Sequence, residues 1–182
     1  MRALTMGTKE HAMTAALKTA VVGGLALALS GCISLTPEPP ASLLTLTATT
    51  QSNSAPAASA ASAIKIMEPE TPARLNVPRV PVQIDDTEVA YLKDAIWVEK
   101  PARLFRSLVS EVVRTRTGRF VVDGDDQGFI APMQLRGSLR EFGYDARTSS
   151  VVVKYDAVKI AADGAVESRR FSTSVGGVLP EA

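Results

Sequence analysis

The sequence predicts an α+β domain, an antiparallel sheet packed by one long amphipathic helix. Three observations predict it. One stretch, residues 101–117, repeats its apolar residues with the period of a helix. Three long strand-like segments, 133–144, 151–161 and 165–175, follow one another later in the chain. The stretches joining them, 145–150 and a turn at Asp163-Gly164, are too short for crossovers, so antiparallel order is the economical arrangement.

The chain opens with Arg2, Lys9 and Lys18 against a single acid, Glu10, and then an uncharged run over residues 19–29. A basic start and a short apolar run are the layout of a secretory signal. The run is about half of the roughly 20 residues that a membrane-spanning helix needs, which argues against a permanent transmembrane segment. Leu29-Ser30-Gly31-Cys32 then resembles the lipobox of bacterial lipoproteins. In that pattern small side chains admit the backbone to the peptidase and the thiol accepts diacylglycerol. The expectation is a lipoprotein signal peptide over residues 1–31, cleavage before Cys32, and lipid on Cys32. Met6 and Met13 are alternative starts.

Cys32 is the only cysteine. A lone thiol in an exported protein invites stray oxidation, and acylation removes that hazard. Stable anchoring takes more than one acyl chain, a condition that a triacylated cysteine meets. Ile33 follows, where an aspartate would retain an enteric lipoprotein in the inner membrane. The expected location is therefore the outer membrane, facing the periplasm.

Residues 32–42 read as a lipidated tether and 43–176 as the folded domain, with 177–182 as a tail. Residues 43–49 alternate as a strand would, and 51–62 are a low-complexity loop of Ala, Ser, Asn and Pro. Residues 63–67 resume the alternation. Pro69, Pro72, Pro78 and Pro81 then mark edges and turns, because proline lacks the N–H that a central ladder needs. Short strands are expected over 80–84, 88–92 and 96–98, with a turn at Asp85-Asp86. In the helix, Pro101 suits the first turn and Gly118 the C-terminal stop. Leu104, Leu108 and Val112 define its apolar face with Phe105 and Val109 beside them; Arg103, Arg106, Glu111 and Arg114 lie towards the other side. Arg114, Arg116 and Arg119 complement the helix dipole. Phe120-Val121-Val122 follows as a strand.

The chemistry is narrowed by what is missing. The single histidine, His11, lies in the segment to be cleaved, and the single cysteine is taken by lipid. The remaining domain has neither imidazole nor free thiol, which removes Ser-His-Asp and Cys-His catalysis and zinc sites built on those ligands. Asp123, Asp125, Gln127 and Gly128 echo half of a calcium loop, but the twelfth position is Gln134 rather than Glu. No glycine-rich phosphate loop is present, and no cofactor is expected. Removing residues 1–31 takes the chain from 20 basic and 19 acidic residues to 17 and 18, a balance that suggests no nucleic-acid partner. Trp97 reads as a core residue under the helix more readily than as an interface anchor, and one of Arg169 and Arg170 as simply solvated.

The segment from Tyr91 through Trp97 to Pro101-Ala102-Arg103-Leu104 resembles the ABC-type transport auxiliary lipoprotein family, of which the PqiC group is one branch. The strand at Leu43-Leu44-Thr45-Leu46-Thr47, the helix ending in Gly118-Arg119-Phe120 and the later strands extend the likeness over residues 42–175. The resemblance implies a non-enzymatic accessory of an Mce-type transporter. Its partners would be an Mce-type substrate-binding protein with its permease and ATPase, and its cargo would be lipid moved between envelope membranes. Any homo-oligomer would follow from the family alone. Members usually end in a second amphipathic helix packed on the sheet. The five residues Val178–Ala182 leave no room for one: either the sequence is truncated or frame-altered, or this branch lacks the element, and without it one sheet face would expose apolar side chains. The alternative is a structural or assembly lipoprotein supporting an outer-membrane protein.

Overall fold

The computed structural model describes residues 42–49, 59–123 and 128–179. The expected signal peptide, Cys32, most of the tether and most of the low-complexity loop lie outside them. Seven strands form one mixed sheet: β1 (Ile64–Ile66), β2 (Arg79–Gln83), β3 (Val89–Ile96), β4 (Val121–Asp123), β5 (Met133–Asp145), β6 (Ser150–Ile160) and β7 (Val166–Gly176). The helix α1 (Pro101–Thr117) is the only α-helix among the described residues. The α+β class and the single packing helix are those that the sequence predicts.

Strand β5 is the spine. One of its edges takes β1 against its start and β2 against its end, both parallel. The other edge takes β6, antiparallel along its whole length, and β7 follows antiparallel outside β6. Strand β4 lies parallel beside β1, and β3 antiparallel beside β2. Antiparallel order thus holds wherever a short connection joins consecutive strands. The short strands β1 and β2 run parallel to β5 because α1 and the residues around it supply the long return that parallel pairing requires. The expected strand over 43–49 is reduced to a single bridge, Leu44 to Trp97, and the two pieces expected at 88–92 and 96–98 merge largely into β3.

A bulge sets the faces of β5. The pairing shifts between Leu139 and Glu141, leaving Arg140 as the extra residue. Side chains alternate along a strand, so without that residue Phe142 and Tyr144 would face away from Leu135 and Leu139. With it, all four share a face with Val151, Val153, Tyr155 and Ala157 of β6.

Helix α1 packs on that face. Pro101 starts it, and Gly118 ends it at φ 65°, donating its N–H to the Arg114 carbonyl. Only a residue tolerant of the left-handed region closes a helix in this way without strain. The Phe105 ring lies 4.9 Å from Tyr155 and 6.4 Å from Phe142, and Val109 and Val113 meet Ile64, Ile66 and Val121. Leu104 of the expected face is buried, and Phe105, Val109 and Val113, the row beside it, make the contacts with the sheet. The helix carries two adjacent apolar rows, and spacing alone does not rank them. Arg106, expected on the outer side, is buried, as are Ala102 and Ser110 on either side of it along the helix.

Candidate docking surface

The apolar face of the sheet is only partly covered. Leu139 is buried beneath α1 with Leu75, Phe142, Tyr155 and Ala157. Towards Val151, which is 39% exposed, the cover thins, leaving an apolar groove of about 310 Å³ over the buried Tyr144. Its walls are Leu44, Leu46 and Trp97 on one side and Val151 and Val153 on the other, with Leu179 at its rim. Trp97 lies 5.3 Å from the Phe142 ring and packs against the buried cluster, as expected of a core residue.

Beyond the groove β7 is exposed on both faces along its whole length. Phe171 is 49% and Val175 61% exposed, both on the same face as the groove. The Arg169 guanidinium sits 5.0 Å over the Phe171 ring, so this arginine is engaged by an aromatic face rather than simply solvated.

The opposite face is ionic. Arg170 grips Asp156 through two hydrogen bonds of 2.5 and 2.9 Å, and Arg140 approaches the same carboxylate at 3.9 Å. Lys154 donates to Glu141 at 3.0 Å. At the end of the β5–β6 hairpin, Arg147 donates to both oxygens of Asp145 at 2.9 and 2.7 Å and also reaches Asp86. Hydrogen bonds from these guanidinium groups hold the Asp145 and Asp156 carboxyls below the usual carboxylate range. Asp85 is lowered as well, chiefly because its carboxylate accepts the backbone N–H groups of Thr87 and Glu88 at 2.8 Å each. Such carboxylates stay ionised and paired, whereas a general acid needs its pKa raised towards neutrality. Burial alone pushes the Tyr155 phenol up.

Of the residues singled out in the sequence, Trp97, Arg169 and Arg170 are placed as above. Cys32 lies outside the described residues, as do Asp125 and Gln127 of the calcium-like turn. The groove itself carries no sequence motif: its lining is ordinary apolar alternation, and only the sheet topology brings Leu44, Trp97 and Val151 together.

Comparison with known proteins supplies a second kind of finding. The family model for the ABC-type transport auxiliary lipoprotein component matches residues 44–177. A crystal structure of a Xanthomonas campestris protein assigned to the DUF330 family is similar in fold, with a TM-score of 0.58 and 17% identity, covering 73% of this chain and 77% of that one. A crystal structure of an uncharacterized protein aligns with a TM-score of 0.55 and 15% identity, covering 63% of this chain and 72% of that one. No curated protein matches the chain.

Proposed function

The chain belongs to the ABC-type transport auxiliary lipoprotein family, and from that premise we propose that it is a lipid-anchored accessory of an Mce-type transporter moving lipids between envelope membranes. The match over residues 44–177, which takes in the whole described sheet and α1, carries the reading. The family assigns an accessory role in ABC transport and a place in the cell envelope. The Mce-type substrate-binding partner, the permease and ATPase, the lipid cargo and the outer-membrane location are our proposals.

The physical support is the character of the surface. A bare apolar face backed by one that carries ion pairs suits a protein that docks on others rather than one that turns over a substrate. The anchor is supported by the sequence around Cys32. No helix among the described residues is long and apolar enough to cross a membrane. Anchoring through Cys32 would hold the domain at the membrane surface by a tether of about ten residues.

The test is affinity purification of the tagged full-length protein from native membranes after mild crosslinking, with mass spectrometry of the partners and of the N-terminal peptide. Recovery of an Mce-type protein together with triacylated Cys32 supports the reading. Recovery of a β-barrel protein instead moves the assignment to outer-membrane assembly. In the same experiment Cys32→Ser should leave the membrane fraction; if it stays there as the parent does, the anchor is not on Cys32.

A further inference from the structure

We propose that β7 is a self-pairing edge, at which two copies of this chain join their sheets antiparallel about a two-fold axis at Phe171. This goes beyond the transport role, which neither requires nor forbids it.

The first ground is that the edge is open. Sheets normally blunt their outer strands with proline, a bulge, shortness or charge. Strand β7 carries charge at Glu167, Arg169 and Arg170 but has no proline, no bulge and full length. Its eleven residues, Val166–Gly176, follow β6 without a register shift, contain no proline and are all exposed. Among the described residues nothing pairs with its outer side.

The second ground is the phase of the hydrogen bonds. Ala161 donates its N–H to the Ala165 carbonyl at 2.9 Å, and Gly177 donates to the Ser149 carbonyl at 3.1 Å. Antiparallel partners exchange bonds at every second residue. The odd-numbered residues of β7 therefore bond β6, and Ser168, Arg170, Ser172 and Ser174 turn their N–H and C=O groups outward. In a full-overlap pairing of two β7 strands, each outward residue meets another outward residue. Phe171 falls on the axis at a position without cross-strand hydrogen bonds, where opposite Cα atoms come to about 4.5 Å and side chains approach closest.

The third ground is charge. Full overlap sets Arg170 opposite Ser172, Arg169 opposite Thr173 and Glu167 opposite Val175, so no like charges face each other. Moving the axis one residue towards the start of the strand would set Arg170 against its own copy, which is destabilising. Two Phe171 rings, each already under an Arg169 guanidinium, would instead form the central cross-strand pair.

The experiment is sedimentation velocity of the full-length protein in detergent, over a concentration series. A dimer is expected. Ser172→Pro removes an outward N–H without touching the ladder to β6, so it should weaken dimerisation about tenfold or more while circular dichroism and unfolding stay as in the parent. In a Cys32→Ser background, Phe171→Cys should form an intermolecular disulfide on mild oxidation, because the expected Cα separation is bridgeable, whereas Glu167→Cys should not. A monomer at every concentration overturns the proposal. So does an oligomer of any size in which Phe171→Cys fails to crosslink. Should Ser172→Pro fail to fold, the paired cysteine variants decide the matter alone.

Discussion

Replacing Leu139 by alanine tests the description of the core most directly. Leu139 is 0% exposed, lies at the bulge of β5, and is held among Leu75, Phe142, Tyr155 and Ala157. Its surroundings come from two bonded strands and an overlying helix, so the site cannot collapse far onto a smaller side chain. Buried leucine-to-alanine changes cost about 2–5 kcal/mol, and a site that relaxes this little belongs at about 3–4 kcal/mol. That is a large share of a total stability of about 5–15 kcal/mol. With a urea dependence of about 2 kcal/mol per molar, the unfolding midpoint should fall by roughly 1.5–2 M. The assay is tryptophan fluorescence during urea unfolding. Trp97 is the only tryptophan and lies 5.3 Å from Phe142, so its emission reports on the same cluster. Val166→Ala is the control, since that side chain is 63% exposed and the change should stay within about 0.5 kcal/mol. A loss for Leu139→Ala below about 1 kcal/mol, or no larger than the control's, would refute this account of the core.

Gly143→Ala should destabilise by about 2–3 kcal/mol, because the new Cβ would lie 2.4 Å from the Pro81 carbonyl oxygen and 2.8 Å from its ring. Gly176→Ala meets nothing within 4 Å and should be nearly neutral; equal melting temperatures for the two variants would remove the close approach of β2 to β5 from the argument. Asp85, Asp145 and Asp156 all have lowered folded-state pKa values. Their contribution is present above the ordinary aspartate pKa of about 4 and is lost as pH falls through and below it. Urea midpoints should hold from pH 7 to 5 and drop by pH 3, with Asp145→Asn showing a smaller drop; a midpoint that rises on acidification would reverse the sign of the argument. Asp85 is exposed and Asp145 and Asp156 are partly so, and water still screens all three, so each contributes modestly.

The sequence shows the long elements because their signals are local and repeated. Helix α1 is bounded by Pro101 and Gly118, and both residues do in the structure what their chemistry suggests. Strands β5, β6 and β7 fall within a residue or so of the alternating segments, since two hairpin turns separate them. Strands β1, β2 and β4 are recognisable as extended, but their parallel partners are not. Nothing in Ile64-Lys65-Ile66 says that it will lie against both Val121 and Met133. The bulge is a middle case. The apolar positions of β5 change parity between Leu139 and Phe142, a visible mark of an inserted residue that alternation alone passes over. The docking surface is the least legible part. Phe171 and Val175 follow the same pattern whether a neighbour covers them or not, and Leu44 to Trp97 is a contact of topology rather than of motif.

The serial pairing along β5 also fixes an order of events during synthesis. Chains emerge N-terminus first, and local contacts form before distant ones. Strands β1 and β2 are made early and can meet β4 and β3, yet each also needs an edge of β5, which follows α1 and β4. The hairpins of β5, β6 and β7 need only their own short turns and can close as soon as they are complete. The β2–β3 pair and β1 must therefore wait to complete their burial, with Ile64, Ile66, Val80 and Val82 not yet covered, for a template that arrives after them. The late meander is therefore expected to form ahead of these contacts, and slowing its closure should prolong the exposure of the apolar residues of β1 and β2.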